Sequence, residues 1–374
     1  MNNPASARDV DVEIDVENAA LGEPLRAMAA MVEARGGYLA PRLRLVERDG
    51  ALRVERPRSA PPTDLLVAIP PELLVPIDGL VWSDDTRALR LAQPANHLSS
   101  ARKTMLDLFL AIYNASGKLA QIAEYPAAVF ARDPGLLEIV RQVKPETRPN
   151  RASLCELFLS TRQVFEQLHP ADDAKTAVIM PVMDFLNHHH QGDTFRIVNG
   201  RLAIPEHHFG DSAECVSSYG GQRDPFDLLI GHGYVDCATP FAASLPVTLA
   251  LPGLGTLVIE GRNLGANHAV NPPRISFAPK EVRLSHAVFD RRAPAPVLAV
   301  LSLPVRALAQ REGASQPALN RALAELPVRL LEANRATLAQ FRSALSAHRE
   351  SPATAAQFLA ASDLHEDNLT AALG

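Results

Sequence analysis

Helical periodicity fills two long blocks of this chain, 94–178 and 297–373, and the stretches around them break into short β-patterned runs separated by turns. Such blocks imply an α+β architecture in which sheet and helix are segregated. In the first block Met105, Leu106, Phe109, Ile112 and Tyr113 follow Ser100, a candidate N-cap, and further amphipathic runs span 136–143 and 154–168. In the second, Leu319, Leu323, Leu326, Leu330, Leu331, Leu338, Phe341 and Leu345 recur mostly at three and four. Pro327 interrupts them, which predicts two helices or one kinked helix. A shorter helix is expected over 25–34, stopped by Gly36-Gly37.

The β-patterned runs cover 39–46, 65–69, 195–198 and 214–218, with Asp49-Gly50 as a turn signal. A further pair, 247–251 and 256–259, flanks the turn Pro252-Gly253-Leu254-Gly255. Residues 1–20 alternate acid and aliphatic from Asp9 to Val16, and are read as a flexible acidic tail in preference to an edge strand. The chain then divides into 21–93, a helical insertion at 94–178, a loop-rich β block at 179–240, and a final part at 241–374 that is largely helical after 297.

At 374 residues the chain is long enough for two ordinary domains. It carries 37 basic and 42 acidic residues, so 37 − 42 = −5, and no basic stripe for nucleic acid is expected. No run approaches the ~18 apolar residues of a membrane helix, and the N-terminus has no basic-then-apolar signal pattern. Three scattered cysteines, Cys155, Cys215 and Cys237, indicate a reducing compartment. A cytoplasmic protein without nucleic-acid or membrane partners is the expectation.

Two segments stand outside this periodic reading. One is Pro181-Val182-Met183-Asp184-Phe185-Leu186-Asn187-His188-His189-His190. The other runs from Ser217-Ser218-Tyr219-Gly220-Gly221 through Leu228-Leu229 to Gly231-His232-Gly233-Tyr234-Val235. Together they resemble the signatures of SET-domain methyltransferases, in the branch typified by the Rubisco large-subunit lysine methyltransferase. Asp184, Asn187 and His188 match an Asp-x-x-Asn-His; Gly210-Asp211 through Ser218 resembles the following turn and strand, with Tyr219 at the tyrosine position. Leu228-Leu229, Gly233 and Val235 match the last element, while His232 and Tyr234 stand where the family usually has Tyr and Phe. Gly36 to Pro41 and Leu65 to Leu74 are similar to the opening strands, Thr161-Arg162 to a Ser-Arg-x-Phe helix, and the terminal helices to the domain that follows SET.

This resemblance implies a mainly β SET fold with a helical insertion and an α-helical C-terminal domain. It also implies S-adenosylmethionine as cofactor and methyl transfer to a lysine of a protein or peptide. Tyr219 would be the catalytic tyrosine, with His232 beside it as a second candidate. Asn187, His188, Asp184, Gly50 and Tyr234 would hold the cofactor, and Arg162 would touch substrate. One departure is plain: the family's Gly-x-Gly turn becomes Gly50-Ala51-Leu52, which puts an isobutyl group where backbone amides should approach the cofactor.

Other readings stay open. A SET-derived module could hold a basic peptide without cofactor, or the scaffold could act on a histidine or small amine. The histidines offer imidazoles to a metal, and alternation along an extended chain allows only His188 and His190 to share one. No spaced carboxylate and histidine signature accompanies them, so no metal is expected. Cys215 and Cys237 read as small buried hydrophobes, and Gly253-Leu254-Gly255 as a hairpin turn, not a dinucleotide fingerprint.

Overall fold

The computed structural model describes residues 12–77, 79–83, 88–93, 98–148, 154–166, 175–208, 210–261 and 272–374. The architecture is α+β, and the chain divides into two units, Met1–Ala123 with Ala152–Tyr219 and Glu124–Arg151 with Gly220–Gly374.

The first unit opens with β1 (Glu13–Val16), α1 (Gly22–Ala34), β2 (Tyr38–Leu39) and the hairpin of β3 (Arg44–Arg48) and β4 (Ala51–Glu55). β1 lies parallel to β3 as the edge of a three-stranded sheet. Arg44 reaches Glu13 and Asp15, and Arg48 reaches Asp15 and Glu17. Over 13–16 the acid and aliphatic alternation therefore builds an edge strand where a flexible tail was expected, because two arginines on the neighbouring strand pair its acids; residues 1–11 of that stretch lie outside the described residues. The Asp49-Gly50 turn closes β3 onto β4 with both residues at positive φ, 51° and 76°.

The chain continues through β5 (Val67–Ile69), β6 (Val75–Pro76), β7 (Leu80–Ser83) and β8 (Ala88–Leu91) into α2 (Ser100–Ala115). The N-cap is Ser99, one residue before the expected Ser100, its hydroxyl accepting the Arg102 N–H at 3.3 Å. After α3 (Lys118–Ile122), α4 (Pro126–Arg132), α5 (Pro134–Val140) and α6 (Leu154–Ser160), the chain returns to sheet in β9 (Gln163–Glu166) and β10 (Thr176–Ile179). The helix expected over 154–168 thus stops at Ser160, and β9 pairs antiparallel with β10. The expected helical insertion is divided: α4 and α5 belong to the second unit, α2, α3 and α6 to the first.

β11 (Asn187–Asp193), β12 (Arg196–Val198), β13 (Arg201–Ile204) and β14 (Val216–Ser217) complete the first unit. Its four-stranded sheet has the order β12-β13-β5-β2 and is antiparallel throughout. The core is aliphatic: Leu25, Met28 and Val32 of α1, all of β5, and Met105, Phe109 and Ile112 of α2 are buried. The proline-rich connector 56–64 is anchored by Arg56, 1% exposed, whose guanidinium donates to the Pro41 carbonyl at 2.9 Å and pairs with Glu206 at 2.5 Å.

The second unit adds α7 (Pro225–His232), β15 (Phe241–Ala243), β16 (Val247–Leu251), β17 (Gly255–Ile259), β18 (Ile275–Ala278), β19 (Glu281–Leu284), β20 (Val288–Asp290), α8 (Ala295–Arg311), α9 (Gln316–Ala347) and α10 (Pro352–Leu373). β16 and β17 form the expected hairpin, in a sheet ordered β16-β17-β19-β18. Leu257, Ile259, Val282 and Leu284 pack with Leu301, Val305, Leu326 and Leu330. A second cluster groups Phe130, Phe226, Phe341 and Phe358, with Phe341 edge-on to Phe226 and Phe358. α9 is one helix that runs through Pro327, held by Leu326, Leu330 and Leu331 on its buried side.

Candidate functional site

The segment before β11 turns sharply. Val182 has φ 66° and ψ −48°, and Met183 N–H donates to the Pro181 carbonyl at 2.7 Å, a γ-turn of the rarer, strained hand at a β-branched residue. A single 3₁₀ turn, Met183–Phe185, follows and presents Asp184. β11 then pairs in parallel with β14: Asn187 opposes Val216 and His188 opposes Ser217. Close approach requires glycine here, since a Cβ on Gly192 would lie 2.6 Å from the Ser217 carbonyl carbon. The first signature segment and the start of the second are thereby neighbouring strands. Tyr219, just beyond β14, donates its N–H to His188 Nδ1 at 3.0 Å and its hydroxyl proton to the Leu186 carbonyl at 3.1 Å. The two rings lie 5.0 Å apart.

A cleft of about 380 Å³, partly open to solvent, is lined by Gly50, Ala51, Leu52, Tyr113, Lys118, Arg162, Asp184, Asn187 and Tyr219. Five residues singled out from sequence, Gly50, Arg162, Asp184, Asn187 and Tyr219, therefore share one wall system within the first unit. His188 is not on the lining; it sits behind Tyr219 and fixes that residue's backbone. His232 ends α7 in the second unit, where Arg223 Nη1 lies 3.3 Å from its Nε2, and its ring is 6.4 Å from that of Tyr234. Gly233 between them must be glycine, with φ 79° and a Tyr125 ring atom 2.4 Å from where its Cβ would stand.

Asp184 is the electrostatic centre of the cleft. Its side chain is 3% exposed, and burial pushes its carboxyl up to about 6 even though Arg162, 3.6 Å away, pulls the other way. Tyr113 donates its hydroxyl to Asp184, and burial followed by the neighbouring carboxylate raises the phenol well above its ordinary range. Arg162 is held by stacking: its guanidinium carbon lies 4.5 Å from the Phe158 ring centre and 5.3 Å from that of Tyr113. Lys118 is pulled down to about 8, first by burial and then by the like charge of Arg162. Tyr113 and Lys118 were not singled out by sequence: the first reads as a core position of α2, the second as an ordinary lysine after a Ser-Gly turn.

Gly50 serves differently from expectation. Its N–H donates to Glu47 Oε1 at 2.6 Å, so that amide is committed within the protein, and a Cβ on it would lie 2.5 Å from the Ser116 carbonyl oxygen. The cleft thus gathers two cations, Arg162 and Lys118, one carboxylate, Asp184, and the Asn187 amide. Among the described residues, His188 and His190 belong to no three-residue cluster able to hold a metal; the one such cluster is Asp133, His348 and Glu350 in the second unit.

No protein-family profile matches the chain, and no curated protein matches it. Among solved structures it is similar to the SET domain of LSMT bound to lysine and AdoHcy, at 12% identity over 93% of this chain and 89% of that one, with a TM-score of 0.39. The same domain bound to MeLysine and AdoHcy gives 12%, 93%, 90% and 0.43, and Rubisco LSMT bound to AdoMet gives 12%, 92%, 90% and 0.42. These values describe a loose overlap and assign the chain to no family.

Proposed function

We propose that this chain transfers a methyl group from S-adenosylmethionine to the side-chain nitrogen of a lysine in a protein or peptide. The observation that carries the reading is the pairing of β11 with β14, which brings Asp184, Asn187 and Tyr219 to one cleft with Gly50 and Arg162. When bound, S-adenosylmethionine supplies a methyl group on a sulfonium: the amine lone pair forms the new N–C bond, the C–S bond breaks, and a neutral thioether leaves. The chain's residues must do the rest. A free lysine has a pKa of about 10.4, so a neutral nitrogen at pH 7 costs about 4 to 5 kcal/mol. Alignment in the cleft can offset that, since proximity alone is worth about 7 to 11 kcal/mol. With its proton directed at the Leu186 carbonyl, Tyr219 turns its phenol oxygen into an acceptor that can orient an amine N–H. His188 keeps Tyr219 in that pose through the 3.0 Å backbone contact. Asp184 keeps the donor-binding role and Arg162 the substrate contact that the resemblance gives them, and Asn187 lines the same cleft.

The test is methyl transfer from labelled S-adenosylmethionine to lysine-containing peptides, with Tyr219→Phe as the control. Loss of about a hundredfold in kcat, with donor affinity kept, is the expected outcome for an orienting phenol. Unchanged kcat on an identified substrate contradicts the assignment.

A second reading has its own support. Leu52 lines the cleft where the family has a glycine, and the Gly50 amide is already committed to Glu47. A module that binds peptide without cofactor would show neither heat nor thermal shift with S-adenosylmethionine or its demethylated product.

A further inference from the structure

The signature segments leave one cation of the cleft unexplained. Arg162 stands 3.6 Å from Asp184 and is balanced by it, whereas the Lys118 ammonium lines the same cleft with no carboxylate at ion-pair distance among the described residues. The cleft therefore carries one positive charge in excess. A partly buried ammonium is costly unless something anionic meets it. The depressed Lys118, at about 8, is consistent with that lack.

The backbone supplies a second, independent observation. Lys118 follows a turn that is clamped against the β3–β4 hairpin. Ser116 Oγ accepts the Lys118 N–H at 3.3 Å and donates to the Tyr113 carbonyl at 3.1 Å, and Gln121 donates to the Asp49 carbonyl at 3.3 Å. The Ser116 carbonyl occupies the space that any side chain at position 50 would need. The surviving glycine thus allows the 116–118 turn to close over the hairpin, and with it Lys118 reaches the cleft. Any side chain at 50 would push that turn away.

We propose that Lys118 receives the carboxylate at the amino-acid end of the methyl donor, an inference that rests on the reading of the cleft as a donor site. Lys118 then acts as a binding residue that selects a zwitterionic head group over one bearing the amine alone. Arg162 is charge-balanced by Asp184, and the phenols of Tyr113 and Tyr219 donate to Asp184 and the Leu186 carbonyl, so Lys118 carries the charge of the cleft that has no counter-ion among the described residues.

The experiment is calorimetric titration of the full chain, and of Lys118→Met, Lys118→Gln and Lys118→Arg, with S-adenosylmethionine and with its decarboxylated analogue. Wild type should bind the first at least about tenfold more tightly than the second. Lys118→Met and Lys118→Gln should lose about tenfold of that preference, while Lys118→Arg keeps most of it, and all should melt as cooperatively as wild type. Comparing ratios cancels any general loss of the site. An equal preference in wild type and the neutral variants, or no preference in wild type, overturns the inference and leaves the donor reading standing. If wild type binds neither compound, the donor reading fails and the inference falls with it.

Discussion

At the scale of single residues, Asp184 makes the sharpest claim. Its carboxyl titrates near 6 in the folded chain and near 3.9 in the unfolded one, so folding takes up a proton between those values. The stability this gives is complete below about pH 4 and is lost as pH rises through 6. Asp184→Asn removes that loss while still accepting from Tyr113. The difference in unfolding free energy between variant and wild type should therefore move by about 2 kcal/mol in the variant's favour from pH 4 to pH 7, read by urea titration; parallel pH curves would contradict the burial argument. Asp184, Asn187 and Tyr219 were singled out in the sequence by their resemblance to the SET signatures, and the fold brings the three to one cleft. Tyr113 and Lys118 were not singled out. A tyrosine on the buried stripe of an amphipathic helix looks like any core residue, and only the fold turns its hydroxyl to Asp184. Gly50 was legible as a turn, but the reason it must be glycine, the Ser116 carbonyl 2.5 Å from its missing Cβ, lies 66 residues away.

Among the elements, α7 depends on a buried ionic cluster. Asp224 caps it, accepting the Asp227 N–H at 2.9 Å in a capping box. Lys144 holds both carboxylates, at 2.7 Å from Asp224 and 2.8 Å from Asp227, with Lys144 only 3% and Asp224 0% exposed. Lys144→Met leaves Asp224 buried and unpaired, and should cost about 3 to 5 kcal/mol in chemical unfolding, of which Lys144→Met with Asp224→Asn recovers a large part. Equal losses in single and double variants would show that the pair is not coupled. His365 of α10 lies in the same pocket, 0% exposed, and burial holds its imidazole down at about 4 against the pull of Asp224. Its contribution to stability is present above about pH 6.5 and is lost as pH falls toward 4. His365→Gln should therefore gain about 2 kcal/mol relative to wild type between pH 7 and pH 5. A variant that tracks wild type across that window would place the acid sensitivity elsewhere. None of this cluster is visible in sequence, since Lys144 and Asp224 are 80 residues apart. The edge strand β1 was misread for a related reason: its acids look solvated until Arg44 and Arg48 come alongside. The hairpin of β16 and β17 was legible because its turn residues are adjacent.

At the scale of the whole molecule, the segregation of helix and sheet followed from the block pattern, while the division into units did not. Residues 124–151 leave the sequence block they sit in and join the C-terminal unit, and no local signal in Ala/Leu-rich helices says which core they serve. The pairing of β11 with β14 is likewise a long-range event that only the quoted motifs anticipated. The functional account has one root: the cleft of the first unit admits S-adenosylmethionine past Leu52. Calorimetric titration of the purified full chain with S-adenosylmethionine and with its demethylated product decides it. Saturable heat from both ligands, abolished or much weakened by Gly50→Val, is the predicted result; a flat titration with both at millimolar concentration would contradict the account.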